Sequence, residues 1–172
     1  MQSTILKLRP LPGLAAIAAL LLLAACDRGS HPSQIGVPAP DFTVTDSTRT
    51  VHLASLRGHI VLLNFWATWC APCREELPSL MAMQQRMPSV TVLAVSLDED
   101  PALYQQFLAD NQVNLLTVRD AAQKSNAFYG TFQYPETYVI DRDGIIRRKF
   151  IGAQQWTSPE ILSYLQKLQN RN

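Results

Sequence analysis

"NFWATWCAPCREELP" (Asn64 to Pro78) places two thiols, Cys70 and Cys73, one helical turn apart, with Pro72 between them and acids close behind. Upstream lies "IVLLNFW" (Ile60 to Trp66), a continuous apolar run of the kind a strand needs when both its faces are buried. Downstream, Leu77, Leu80, Met81 and Met87 supply the inner face of a helix. A strand that ends directly in the cysteine pair puts Cys70 at the helix N-terminus. The unpaired N–H groups and the helix dipole there favour a thiolate, and such sites lower a cysteine pKa from about 8.5 to roughly 7 or below. Cys70 is the expected nucleophile, with Trp69 shielding one side. Cys73, one turn in, is the expected resolving thiol. Pro72 stiffens the loop and helps fix the sulfur spacing, which tunes the reduction potential.

Working outward, the pattern alternates strand and helix. "FTVTD" and "RTVHL" flank the turn "DSTR" as a small hairpin, and "VTVLAVSL" is a second buried strand. "DPALYQQFLADN" opens with Asp100 as N-cap and Pro101 at the first helical position. "NLLTVRD" reads as a short strand and "AAQKSNAFYG" as a helix closed by Gly130. "ETYVID" and "IIRRKFIG" pair across Asp143-Gly144. The last helix, "SPEILSYLQKLQ", is capped by Ser158 and carries the stripe Ile161, Leu162, Leu165, Leu168. This order predicts an α/β domain over residues 39–172, a central mixed sheet covered by helices on both faces.

The N-terminus belongs to a different object. Lys7 and Arg9 precede "LAAIAALLLLAA" (Leu14 to Ala25), an apolar run of twelve, too short to span a bilayer comfortably and of signal-peptide length. "DRGSHPSQIGVPAP" (Asp27 to Pro40) is rich in Pro, Gly and Ser and reads as a tether, so residues 1–25 are expected to be a signal and 26–38 a flexible link. About a dozen such residues span roughly 20 Å. Loss of Lys7 and Arg9 takes lysine plus arginine from 15 to 13 against 14 acids, a mature charge near −1. With no basic run, nucleic-acid binding is not expected.

Three resemblances add to this reading. "LAAC" (Leu23 to Cys26) resembles the bacterial lipoprotein box, which implies cleavage before Cys26 and its lipidation; the alternative is an ordinary secretory signal or an uncleaved membrane anchor. Two or more acyl chains anchor a protein stably. Asp27 resembles the signal that retains some lipoproteins in the inner membrane. From "APDF" (Ala39 to Phe42) through "YPETYVIDRDGIIRRKFIG", the chain resembles the thioredoxin superfamily, specifically its membrane-tethered TlpA/ResA-like thiol–disulfide reductases.

That last resemblance implies a thioredoxin fold with an N-terminal β-hairpin and an inserted βα-type unit. Where thioredoxin carries an acid six residues before the first cysteine, this chain has Asn64; Glu76 stands at the acid position three after the second cysteine in the TlpA/ResA-like pattern. Glu76 is then either the group that takes the proton from Cys73 or an exposed first-turn acid favourable with the helix dipole, and Glu75 is an exposed acid. Pro78 is a helix-kinking proline and has no part in the chemistry. Pro135 matches the family's cis-proline, and Tyr134 before it offers main-chain groups to an extended partner segment. Trp69, Pro72, Tyr134 and Pro135 thus form the expected substrate-binding set. Glu136 resembles the acid of the "PET" triplet in cytochrome c maturation thioredoxins, which leaves it either bordering the groove or as a loop charge. Trp66 and Trp156 read as packing residues. The resemblance also implies disulfide-bearing partner proteins, such as apocytochrome c or oxidase copper-site proteins. It further implies a membrane electron donor of the DsbD/CcdA kind, a site facing the periplasm, and no cofactor.

Other chemistries fit less well. A structural zinc site takes four N/S ligands, and no second CxxC is present. No histidine follows His59, whereas Sco-like copper proteins use one far downstream. The peroxiredoxin pattern P-x-x-x-T-x-x-C would need Pro and Thr where Leu63 and Ala67 stand. A purely structural disulfide gains little from so short a loop. A non-catalytic binding or chaperone module is the alternative of a different class.

Overall fold

The computed structural model describes residues 34–171. The expected signal segment, Cys26 and the expected tether up to Ser33 lie outside the described residues. The expected hairpin forms from β1 (Thr43–Thr45) and β2 (Thr50–His52), paired antiparallel. Its turn is closed by the Asp46 carboxylate, which accepts from the Thr48 and Arg49 amides.

After a 3-10 turn at Leu53–Leu56 come β3 (Ile60–Trp66), α1 (Ala71–Arg86) and β4 (Val90–Ser96). Then follow α2 (Pro101–Asp110), β5 (Leu116–Arg119), α3 (Lys124–Phe128), β6 (Glu136–Ile140), β7 (Ile146–Ile151) and α4 (Pro159–Gln169). The five longer strands make one sheet in the order β5-β4-β3-β6-β7. β3 is parallel to β4, and β4 to β5, while β6 and β7 join antiparallel. This is the expected mixed sheet.

All seven residues of β3 are buried because the strand is central and covered on both faces. Leu62, Trp66, Ala94 and Val139 face a core shared with α1, α2 and α4. Val61, Leu63, Phe65 and Tyr138 face the other core, under the hairpin and Tyr129. Period-2 alternation along β3 therefore feeds two apolar layers, which is why its sequence shows no polar alternation.

Four local expectations are corrected. The inner stripe of α1 runs Cys73, Glu76, Leu77, Leu80, Met83, so Met83 takes the place assigned to Met81 and Met87, which are only partly buried. Helical spacing from Cys73 sets that phase. The helix stays unbroken through Pro78. Second, "AAQKSNAFYG" is helical only over Lys124–Phe128. The Asp120 carboxylate captures the Ser125 amide (2.7 Å) and hydroxyl (2.6 Å), and Gln123 takes a left-handed conformation (φ 52°), so Ala121 and Ala122 lie in a turn. Third, residues 34–38 of the expected tether already pair with the domain. The Gly36 amide donates to Ile146 O (2.7 Å) and the Ile146 amide to Val37 O (3.0 Å), with Gly36 at φ +86° making the bend. Fourth, Glu136 is no loop charge: it is buried in β6 as the ion partner of Lys149.

Candidate functional site

The site is built where β3 hands over to α1. The Leu97 amide donates to Trp66 O (2.9 Å), which ties the ends of β3 and β4 together. Asp98, just beyond β4, receives the Thr68 amide (3.1 Å to Oδ2) and the Thr68 hydroxyl (2.6 Å to Oδ1). Two residues later Cys70 is the N-cap of α1, in extended conformation. It is joined to Cys73 by a disulfide.

The Cys73 amide points at Cys70 Sγ (3.3 Å) and the Arg74 amide at Cys70 O (3.2 Å). A cap sulfur thus receives one of the helix's free N–H groups. Pro72, the second helical residue, gives up an amide that had no helical partner. Cys70 is 7% exposed and Cys73 2%.

Trp69 stands out from the loop at 63% exposure, its ring edge-on to Tyr134 (centroids 6.1 Å apart, planes at 79°). The Tyr134–Pro135 bond is cis. The Tyr134 hydroxyl accepts from Asn126 Nδ2 (3.0 Å), and Pro135 O accepts the Gly152 amide (2.9 Å). Among the described residues none hydrogen-bonds to the main chain of Tyr134, so its N–H and C=O are unpaired. The rings of Trp69 and Tyr134 thereby join the dithiol loop to the cis-proline loop.

Glu76 lies one turn beyond Cys73 on the same buried face of α1, as i,i+3 spacing requires. It is 3% exposed and is held by three donors: Asn64 Nδ2 at 2.9 Å, the Gln154 amide at 3.0 Å and Trp156 Nε1 at 3.0 Å. Burial pushes its pKa up and the three bonds pull it down; burial prevails, so Glu76 titrates above an ordinary glutamate. Glu75 is exposed.

Three of these contributors were not singled out in the sequence. Asn64 was notable only for not being an acid, Trp156 read as packing, and Gln154 acts through its backbone. Trp156 does pack, fully buried against Phe150 (5.2 Å), but its indole N–H is also spent on Glu76. Eighty residues separate that pair, and no local signal announces it.

The raised pKa of Glu76 has a consequence for stability. Protonation is favoured in the fold, so its contribution is complete below the unfolded carboxyl value of 4.5 and is lost as pH rises through the higher folded value. Glu76→Gln should therefore flatten that part of the decline in stability above pH 4.5. Denaturant midpoints across this window check it; parallel curves for the two proteins would refute the assignment.

The model of the AhpC/TSA family matches residues 35–149. Leu63 and Ala67, where the peroxide-reducing pattern has Pro and Thr, are buried and carry no hydrogen-bonding side-chain group. The chain is 33% identical over 138 residues to the thiol-disulfide oxidoreductase ResA of Bacillus thuringiensis strain Al Hakam, covering 78% of this chain and 79% of that one. It is 35% identical over 148 residues to the thiol:disulfide interchange protein DsbE of Pseudomonas aeruginosa, covering 82% and 81%. Among solved structures, one described as a thiol:disulfide interchange protein DsbE from Chlorobium tepidum superposes with a TM-score of 0.66 at 31% identity, covering 78% of this chain and 94% of that one. A cysteine pair at a helix start, in a loop whose Trp69 meets the Tyr134 of a cis-proline loop, is thus set in a chain like these along most of its length. The chain belongs to the AhpC/TSA family and, within it, to the thiol–disulfide oxidoreductases of the ResA and DsbE type, with a thioredoxin-like fold.

Proposed function

We propose that the protein is a membrane-tethered, extracytoplasmic reductase of disulfides in partner proteins. The observation that carries this reading is the pairing of two bonded cysteines at the start of α1 with an unpaired main chain at Tyr134, the rings of Trp69 and Tyr134 meeting between the two loops. An extended partner segment lies along Tyr134 and brings its disulfide to Cys70. The Cys70 thiolate attacks one partner sulfur, and the other leaves as a thiolate that takes a proton from water. Cys73 then attacks Cys70 Sγ, passing its proton to Glu76. The second partner thiolate departs, and the Cys70–Cys73 disulfide remains. Two electrons have moved to the partner.

A membrane thiol transporter of the DsbD/CcdA kind restores the dithiol, and no cofactor is needed. The likeness to ResA and DsbE supports thiol–disulfide exchange; in this reading the work is reductive, such as keeping apocytochrome c or oxidase copper-site thiols reduced. Among the described residues no helix is long and apolar enough to cross a membrane. The anchor in this reading is the lipid on Cys26, which holds the domain at the periplasmic face of the inner membrane.

With Cys73→Ala the mixed disulfide forms but is not resolved. In cells carrying that variant, a covalent partner should accumulate on Cys70, disappear on reduction, and be identifiable by mass spectrometry. Absence of any adduct, while the wild type turns over in the same cells, would remove the exchange mechanism.

A further inference from the structure

The two oxygens of Glu76 are not equivalent. Oε2 accepts from both the Gln154 amide (3.0 Å) and the Trp156 indole (3.0 Å). Among the described residues Oε1 accepts from Asn64 Nδ2 alone (2.9 Å), and that same nitrogen spends its other hydrogen on Thr137 Oγ1 (2.9 Å). A carboxylate oxygen offers about two acceptor sites. Oε2 is therefore filled, while Oε1 keeps one open.

Both donors to Oε2 come from the short segment between β7 and α4, which is fastened elsewhere too. The Gly152 amide donates to Pro135 O (2.9 Å). The Ser79 hydroxyl lies 3.2 Å from Gln154 O and accepts the Trp156 amide at 3.2 Å. One stretch of chain thus connects the cis-proline loop to the carboxylate behind the dithiol.

We propose that Trp156 is a positioning residue for the exchange reaction: its indole N–H, with the Gln154 amide, pins Glu76 by Oε2 and leaves Oε1 as the oxygen that takes the proton of Cys73. This rests on the reading of Glu76 as proton acceptor. Cys73, on α1 itself, is the titratable group that shares its face. Asn64 of β3, Thr137 of β6, and Gln154 and Trp156 of the segment before α4 carry no ionisable side chain. Among the described residues no charged neighbour contributes to the shift of Glu76, so its three donors are what opposes burial. Removing one disfavours the carboxylate and lets the carboxyl turn.

The test follows the two steps separately, using the aromatic disulfide dithiobis(nitrobenzoate) as substrate for the reduced full chain. Attack by Cys70 releases one nitrobenzoate thiolate, and resolution by Cys73 releases the second. Trp156→Phe should leave the first phase unchanged and slow the second about tenfold at neutral pH, the order of one hydrogen bond to a charged group. It should also move the pH midpoint of the second phase upward. In a Glu76→Gln background, Trp156→Phe should slow nothing further.

An unmoved midpoint, or equal slowing in both backgrounds, overturns the positioning role and marks Trp156 as packing alone. Glu76→Gln with a wild-type second-phase pH profile overturns the acceptor reading itself, and the inference with it, so the two failures are told apart. Should Trp156→Phe not fold, a benzothienyl-alanine at position 156 keeps the ring shape, lacks the N–H donor and serves the same test.

Discussion

With Cys70 replaced by serine, reduction of a protein disulfide falls to the uncatalysed rate while the fold survives. The two halves of that result have separate causes. Serine is a preferred N-cap, so the start of α1 keeps its cap when the sulfur is lost. The cross-link that disappears closes a loop too short to contribute much chain entropy. The chemistry, however, has no substitute. A hydroxyl forms no stable bond to a partner sulfur, and Cys73, at 2% exposure, is less accessible to a macromolecular disulfide than Cys70. In the reduced wild type, Cys70 should be alkylated at neutral pH faster than free cysteine, since it caps a helix and receives the Cys73 amide. Turnover with a protein disulfide and a reductant, wild type against Cys70→Ser, decides between an exchange enzyme and a binding module. Equal behaviour of the two proteins would favour the module.

How much of this was legible depended on the range of the forces involved. The β3 run and the cysteine pair after it are local signals, because a strand buried on both faces must be apolar throughout and a helix start needs a cap. Asp143-Gly144 is equally local: Gly144 sits at φ +81°, a conformation that L side chains rarely adopt, and the hairpin follows. The limits appear where a side chain reaches outside its own element. Asp120 shortens α3 by bonding Ser125, a choice that helix periodicity does not encode. The cis bond at Pro135 came from resemblance, since the sequence around an X-Pro bond seldom marks its isomer. The donors to Glu76 come from β3 and from the segment before α4, so only the assembled sheet brings them together. Glu136 is a case of the same kind. Its neighbours in sequence suggested a groove or a loop, and its partner stands across the β6–β7 ladder.

That partner sets the largest expected loss of stability. Glu136 Oε1 lies 2.7 Å from Lys149 Nζ, with the side chains 4% and 14% exposed. The Tyr138 hydroxyl is 3.0 Å from Oε2, and the Lys149 ammonium sits 5.0 Å from the Tyr138 ring centroid. Tyr138 is directly opposite Lys149 in the ladder, so the pair is diagonal across the strands. Burial works against the charge on Lys149, but its bonds to Glu136 and Tyr138 outweigh it and raise its pKa. The contribution is therefore complete below the unfolded lysine value of 10.5, and at neutral pH nothing of it is lost. Lys149→Met removes the ammonium and strands a carboxylate inside the protein, which costs about 3 kcal/mol, the low end for a broken buried pair because Lys149 keeps some contact with water. Glu136→Gln combined with Lys149→Met removes both charges and should cost clearly less than the single change, since most of the loss comes from the charge left behind. Guanidinium unfolding of the three proteins checks the ordering; a double variant as unstable as Lys149→Met would show that packing, not charge, holds β6 to β7. Glu136 directly follows Pro135, so the single variant should also bind a disulfide substrate more weakly, and the double variant should recover part of that binding.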